Sequence, residues 1–124
     1  MKYSVDKNEK YILLTLEEEK LDSLMSPSLK SELVIFNAEG FRNIILDLSN
    51  VDHIDSSGLS SLLTANRVCQ NSEGSFVLTG LKPMVEQLIT ITQLNKTLKI
   101  VPTKDEAVDL IYMEELEREI NKKE

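Results

Sequence analysis

Apolar positions fall into short runs whose spacing switches between the strand and helix periods. Tyr3–Asp6 and Tyr11–Leu16 read as strands around the turn-like Lys7-Asn8-Glu9, which predicts an opening hairpin. After the acidic Glu17-Glu18-Glu19, Ser26-Pro27-Ser28 reads as a helix start, with Ser26 as cap and Pro27 at the first helical position. Leu29, Leu33 and Phe36 continue it as a stripe that stops near Gly40. Asn43–Leu48 (NIILDL) is a continuous apolar run with Asp47 inside it, as in a strand buried between helices. Leu59, Leu62, Leu63 and Asn66 then recur at helical spacing from a start near Ser56 or Ser57. Ser75–Thr79 reads as a strand between Gly74 and Gly80. Pro83 to about Thr92 reads as a short helix with Met84, Leu88 and Ile91 on one side, and Leu98–Val101 as a last strand. A closing helix starts at Thr103, where Glu106 completes a capping box, and carries Ala107, Leu110 and Ile111.

The predicted order is β-β-α-β-α-β-α-β-α. It describes an α/β domain with a mixed, mostly parallel β-sheet, helices packed against it and the hairpin at one edge. Residues 113–124 read as a helical extension of the last helix or a frayed tail. Glu114→Arg118 and Glu119→Lys123 are spaced to support a helix, and Leu116 and Ile120 either cover a partner or dimer mate or lie solvated.

Composition narrows the function. The 124 residues fit one domain, and 41% hydrophobic against 28% charged residues is a folded rather than a disordered balance. Fourteen Lys and Arg against 21 Asp and Glu leave a net charge of −7, which argues against a phosphate-backbone partner. No apolar run approaches the roughly 20 residues that span a bilayer, and the opening MKYSVDKNEK does not resemble a secretory signal. With a single cysteine, Cys69, and a single histidine, His53, no internal disulfide and no His-based metal cage is expected. Cys69 reads as a helix-face filler and His53 as an exposed loop residue. The expectation is a small, acidic, soluble, cytoplasmic domain.

Candidate chemistry gathers after the strand NIILDL, where Ser49-Asn50-Val51-Asp52-His53-Ile54 leads into Asp55-Ser56-Ser57-Gly58-Leu59. Asp55-Ser56-Ser57-Gly58 can be simply a turn and a helix N-cap, since Asp and Ser accept hydrogen bonds from the first free N–H groups. It can also be a phosphorylation switch, because a helix N-terminus favours the added charge of about −1.5 to −2 while nearby carboxylates oppose it. Catalytic readings are weaker. For a serine hydrolase the G-x-S-x-G elbow is missing, and His53 is the only histidine. A Mg²⁺ site from Asp47, Asp52 and Asp55 would resemble a phospho-accepting receiver pocket, but Asp6-Lys7 supplies no acidic pair after the first strand. No catalytic residue, metal or cofactor is expected.

At this junction the sequence resembles the STAS domain of the anti-sigma factor antagonists. The resemblance rests on NIILDLSNVDHIDSSGL, on Leu21-Asp22, on FVLTGL and on the closing stretch from Leu94 through IVPTKDEAVDLI. It covers about residues 3–112, which implies a single STAS-like domain over 1–112. The resemblance implies a stand-alone antagonist whose serine directly after the motif aspartate, here Ser56 (second choice Ser57), is phosphorylated by an anti-sigma factor that is also a serine kinase. It further implies that Asp22, Asp55, Ser56, Ser57, Gly58 and Leu59 form the partner-binding face. In the implied cycle the unmodified form binds the kinase and frees the sigma factor, phosphorylation ends that binding, and a PP2C-type phosphatase restores it. Oligomeric state is expected to be monomer or weak dimer. Glu17-Glu18-Glu19-Lys20 and Ser60 depart from the family pattern at places where glycines are common. An alternative is a STAS adaptor of a transport or stress-signalling complex that docks without a kinase cycle.

Overall fold

A computed structural model of the protein describes residues 1–123. Strands β1 (Tyr3–Lys7) and β2 (Ile12–Leu16) form the opening antiparallel hairpin. Three parallel strands follow in the same sheet: β4 (Ile44–Asp47), β6 (Phe76–Thr79) and β7 (Lys99–Val101), in spatial order β1-β2-β4-β6-β7. Helices α1 (Ser26–Ala38), α2 (Ser56–Asn71) and α3 (Pro83–Ile91) connect them, a 3₁₀ turn (Leu94–Lys96) precedes β7, and α4 (Lys104–Lys123) closes the chain. Two further strands of two residues each, β3 (Lys20–Leu21) and β5 (His53–Ile54), pair in parallel outside the main sheet. They are too short to carry a periodicity, so the predicted order lacks them.

Each parallel connection steps to the next position in the same direction. Crossovers of one hand then place α1, α2 and α3 on the same face. The pleat sorts the strand residues accordingly. Ile12, Leu14, Leu16, Ile44, Leu46, Phe76 and Leu78 enter a large core with Leu29 and Leu33 of α1, Leu62 of α2 and Ile89 of α3. Leu13, Ile45 and Val77 point to the opposite face, where, among the described residues, only Ala107 and Ile111 of α4 are buried against them.

Several local expectations shift. Ser26 does not cap α1: it lies inside the helix and donates from Oγ to the Asp22 carbonyl at 2.7 Å. Asp22 organises the start instead, its Oδ1 accepting from the N–H groups of Leu24 (3.0 Å) and Met25 (3.3 Å). In α3, which is apolar on two sides, Val85 and Ile89 face the core, whereas Met84 and Ile91 of the expected stripe are 70% and 68% exposed. The capping box at α4 is half formed, with the Glu106 N–H donating to Thr103 Oγ1 at 3.2 Å.

As far as Lys123, residues 113–124 continue α4, and polar contacts fix their first part to the amino ends of the strands. Glu115 accepts from Arg42 Nη2 at 2.6 Å and from Asn43 Nδ2 at 2.8 Å, while Asn43 Oδ1 accepts the Ser75 N–H at 2.9 Å. Glu114 pairs with Lys99 at 2.6 Å and accepts from Ser75 Oγ, and Arg118 turns to Glu115 rather than to Glu114. Burial pushes the Glu115 carboxyl up. The hydrogen bonds from Arg42 and Asn43 and the charges of Arg42 and Arg118 outweigh it, so its pKa lies below the usual glutamate value of 4.5. Glu114 is lowered in the same way, burial opposing and Lys99 and Ser75 prevailing.

Two outcomes follow for stability. Leu46, fully buried in the central strand, should cost about 2–5 kcal/mol as Leu46→Ala, whereas Leu24→Ala at a 78% exposed site should stay within about 0.5 kcal/mol, both read from urea unfolding. Because the folded pKa values of Glu114 and Glu115 are depressed, their contribution is complete above the unfolded value near 4.5 and is lost as pH falls through the folded values. Urea midpoints followed from pH 7 to about 3 should decline over that window, and more shallowly in Glu115→Gln.

Candidate functional site

The strands β3 and β5 bring two distant loops together. Lys20 lies opposite His53 and Leu21 opposite Ile54, and the Glu19 carbonyl accepts from the N–H groups of Asp52 (2.8 Å) and His53 (3.1 Å). Asp22 and Asp55 are each the residue after a registered pair, so the ribbon carries the Leu21-Asp22 turn to the start of α2. The Asp55 N–H then donates to the Leu21 carbonyl at 3.3 Å.

At the helix start, Asp55 is the N-cap. Its backbone is extended, its Oδ1 accepts the Gly58 N–H at 2.9 Å, and its carbonyl accepts the Leu59 N–H at 2.9 Å. Ser56 is the first helical residue and is exposed, and Ser57 is half-buried. Among the described residues, the N–H groups of Ser56 and Ser57 have no backbone or side-chain acceptor, and the Ser56 hydroxyl has no hydrogen-bond partner. The site therefore presents a spare hydroxyl and two free N–H groups at the positive end of a 16-residue helix.

Gly58 and Leu59, expected on the partner-binding face, are buried in the chain itself. A Cβ on Gly58 would overlap the Leu21 carbonyl oxygen and come within 2.6 Å of Ile54 Cγ1. Glycine is needed here because β3 and β5 lie against the helix start, so the chain itself makes a close approach at this position. Leu59 packs into the main core. Both residues position the site, while Asp22, Asp55, Ser56 and Ser57 retain accessible surface.

The three aspartates in and after NIILDL do different work. Asp47 accepts the Ser49 N–H at 2.8 Å, and Gly80 beside it has to be glycine, since its φ is 71° and a Cβ there would come within 2.5 Å of Asp47 Oδ1. Asp52 pairs with Lys82; the hydrogen bond from Lys82, opposed by desolvation, holds its carboxyl below the usual range. Asp55 caps α2. Among the described residues no His, Cys, Asp and Glu cluster could hold a metal ion. Cys69 is buried, and desolvation pushes its thiol up to about 12.

Two depressions flank the ribbon. On one side, Glu17, Glu18, Glu19 and Asp22 outnumber Lys2 and Lys20 in a net acidic hollow of about 480 Å³ that Leu24 and Met25 also line. On the other, Ile54, half-buried Leu88 and the outward Met84 and Ile91 line an apolar groove of about 360 Å³ bordered by Asp52 and His53. The groove and the Asp52–Lys82 pair are absent from the sequence reading, because the pair joins loops 30 residues apart and no local pattern links them.

The chain belongs to the STAS domain family, whose model matches residues 2–107. A candidate anti-sigma factor antagonist of Bordetella bronchiseptica, BtrV, is 30% identical over 92 residues, or 74% of this chain and 78% of that protein. The crystal structure of a candidate anti-sigma factor antagonist from Thermotoga maritima superposes with a TM-score of 0.76 at 24% identity, covering 89% of this chain and 94% of that one. SpoIIAA, a Bacillus cell fate determinant solved in its phosphorylated form, gives 0.68 at 18% identity over 89% of this chain and 99% of its own. Among the described residues no helix is long and apolar enough to cross a membrane.

The packing at the helix start sets an order of effects. Asp55→Ala should lose about 1 kcal/mol by removing the N-cap, and Gly58→Ala should lose more, because Leu21 or α2 must move. Thermal melts of the two variants check this; a Gly58→Ala protein as stable as wild type would mean that the ribbon does not press on the helix.

Proposed function

We propose that this protein is an anti-sigma factor antagonist switched by phosphorylation of Ser56. In the unmodified state it binds an anti-sigma factor that is also a serine kinase, and so frees a sigma factor. Phosphorylation ends that binding and a PP2C-type phosphatase restores it. The setting is cytoplasmic bacterial signalling, with no nucleic acid and no cofactor in the cycle.

The observation that carries this reading is the exposed, unbonded Ser56 hydroxyl at the first position of α2, beside two free N–H groups. A phosphate there would be held locally by those groups and by the helix dipole. Asp22 and Asp55 beside it would accept hydrogen bonds or cations from a docked partner, and Ser57 is the neighbouring hydroxyl. BtrV and the Thermotoga protein are named as antagonists, and SpoIIAA is a phosphoprotein of the same fold, which supports the reading. A buried interface tolerates a neutral hydroxyl but must desolvate a phosphate, so modification weakens the complex.

Peptide mass spectrometry of the protein from its native cells, with and without PP2C-type phosphatase, is the first test. A phosphatase-sensitive phosphate on Ser56 is expected. A phosphate on Ser57 would move the switch by one residue, and consistently unmodified protein across growth and stress conditions would favour the adaptor reading. Ser56→Ala should fold normally and bind its anti-sigma factor constitutively, and Ser56→Asp should bind roughly tenfold or more weakly, as read by calorimetry. Equal binding by both variants would overturn the assignment.

A further inference from the structure

Helix α4 has a second face that the fold leaves uncovered. Ala107 and Ile111 are buried against the sheet, and on the opposite side Tyr112, Met113, Leu116 and Ile120 are 48%, 60%, 58% and 50% exposed. Asp109, Met113, Leu116, Ile120 and Lys123 follow one another at alternating steps of four and three residues, the spacing of a coiled-coil seam. This stripe is about 21 Å long at roughly 1.5 Å per residue. Asp109 and Lys123 are exposed at its two ends, Lys123 at the 4.0 Å limit of an exposed pair with Glu119 of its own helix, so the stripe is acidic at one end, apolar along its length and basic at the other.

A stripe with that order of charges is complementary to itself when a second copy runs the opposite way. With Leu116 on the two-fold axis, Asp109 of each copy meets Lys123 of the second copy, and Tyr112 meets Ile120. A parallel arrangement would instead place like charges together at both ends. We propose that α4 is a homodimerisation face on which two copies pack antiparallel through Met113, Leu116 and Ile120, with Asp109 and Lys123 setting the direction.

The self-complementarity is what selects a second copy over an unrelated partner. Glu117 comes near its mate beside the axis, which limits the affinity. A single helix face also buries less than the roughly 800 Å² per partner of a stable complex, so the association is reversible and depends on concentration. The face lies on the side of the sheet away from the core that α1, α2 and α3 cover, and α2 carries Ser56, so the inference stands independently of the proposed switch.

Sedimentation velocity over roughly 10 µM to 1 mM, with circular dichroism to confirm the fold of each variant, tests it. The mass of the wild type should rise from one copy towards two, and Leu116→Glu should remain at one. Asp109→Lys and Lys123→Glu should each weaken dimerisation roughly three- to tenfold by placing like charges together, and the double variant should restore it. A wild type that stays single at every concentration would overturn the proposal and leave the face to another occupant. A dimer indifferent to Leu116→Glu, or to both single charge reversals, would place the contact elsewhere or in the parallel sense and would equally overturn it.

Discussion

The carbonyl of Leu21 is the contact on which the arrangement of the site rests. Leu21 is fully buried in the main core, so its backbone is fixed by packing rather than by the loop it ends. Its oxygen accepts the Asp55 N–H and lies directly against Gly58. One core residue thereby sets both the entry of the chain into α2 and the distance between the helix start and the Asp22 turn. The two-residue ribbon of β3 and β5 would be marginal alone. It persists because Leu21 is buried and because the Glu19 carbonyl holds two N–H groups at the ribbon's other end.

The sheet around this contact is unequal on its two sides, and the inequality follows from topology. Strands that step in one direction with crossovers of one hand stack three helices on one face. The other face is left to a single helix, which covers Leu13, Ile45 and Val77 with two fully buried residues. Polar bonds at the amino ends of the strands supplement that small apolar contact: Glu114 and Glu115 reach Lys99, Ser75, Arg42 and Asn43. These bonds fix the rotation of α4 about its axis, and that rotation decides which residues face solvent. The outward apolar stripe and the inward carboxylates are two consequences of one orientation.

The main strands and helices were legible because their periods are long enough to register. NIILDL and SFVLT are continuous apolar runs, and the stripes of α1 and α2 repeat over several turns. The cluster Asp55-Ser56-Ser57-Gly58 was legible as a helix start capped by Asp or Ser, and the structure gives the capping role to Asp55. What escaped were features that depend on which face wins. In α3, nine residues with apolar side chains on two sides give no sequence criterion for choosing Val85 and Ile89 over Met84 and Ile91; the sheet chooses. Ser26-Pro27 has the composition of a cap, yet Asp22 one turn earlier takes the N–H groups because Leu21 fixes it there. Gly58 was legible as part of that turn, but not that it makes room for the carbonyl of Leu21, 37 residues back.

A modification site has to combine an accessible group with a backbone that does not need it. Asp55, not Ser56, closes the first turn of α2, and Gly58, not Ser56, admits the neighbouring strand. The Ser56 hydroxyl is thus free of structural duty. Under the proposed switch, the attraction between a phosphate and the free N–H groups acts within the first helical turn. The repulsion from Asp22, Asp55 and the acidic hollow acts over a Debye length of about 8–10 Å, largely through solvent. Neither requires the core to move. A docked partner would have to cover the phosphate and strip its water, so the same charge that the free protein accommodates would oppose the complex. On this reading the modification acts on binding because the fold has been made indifferent to it.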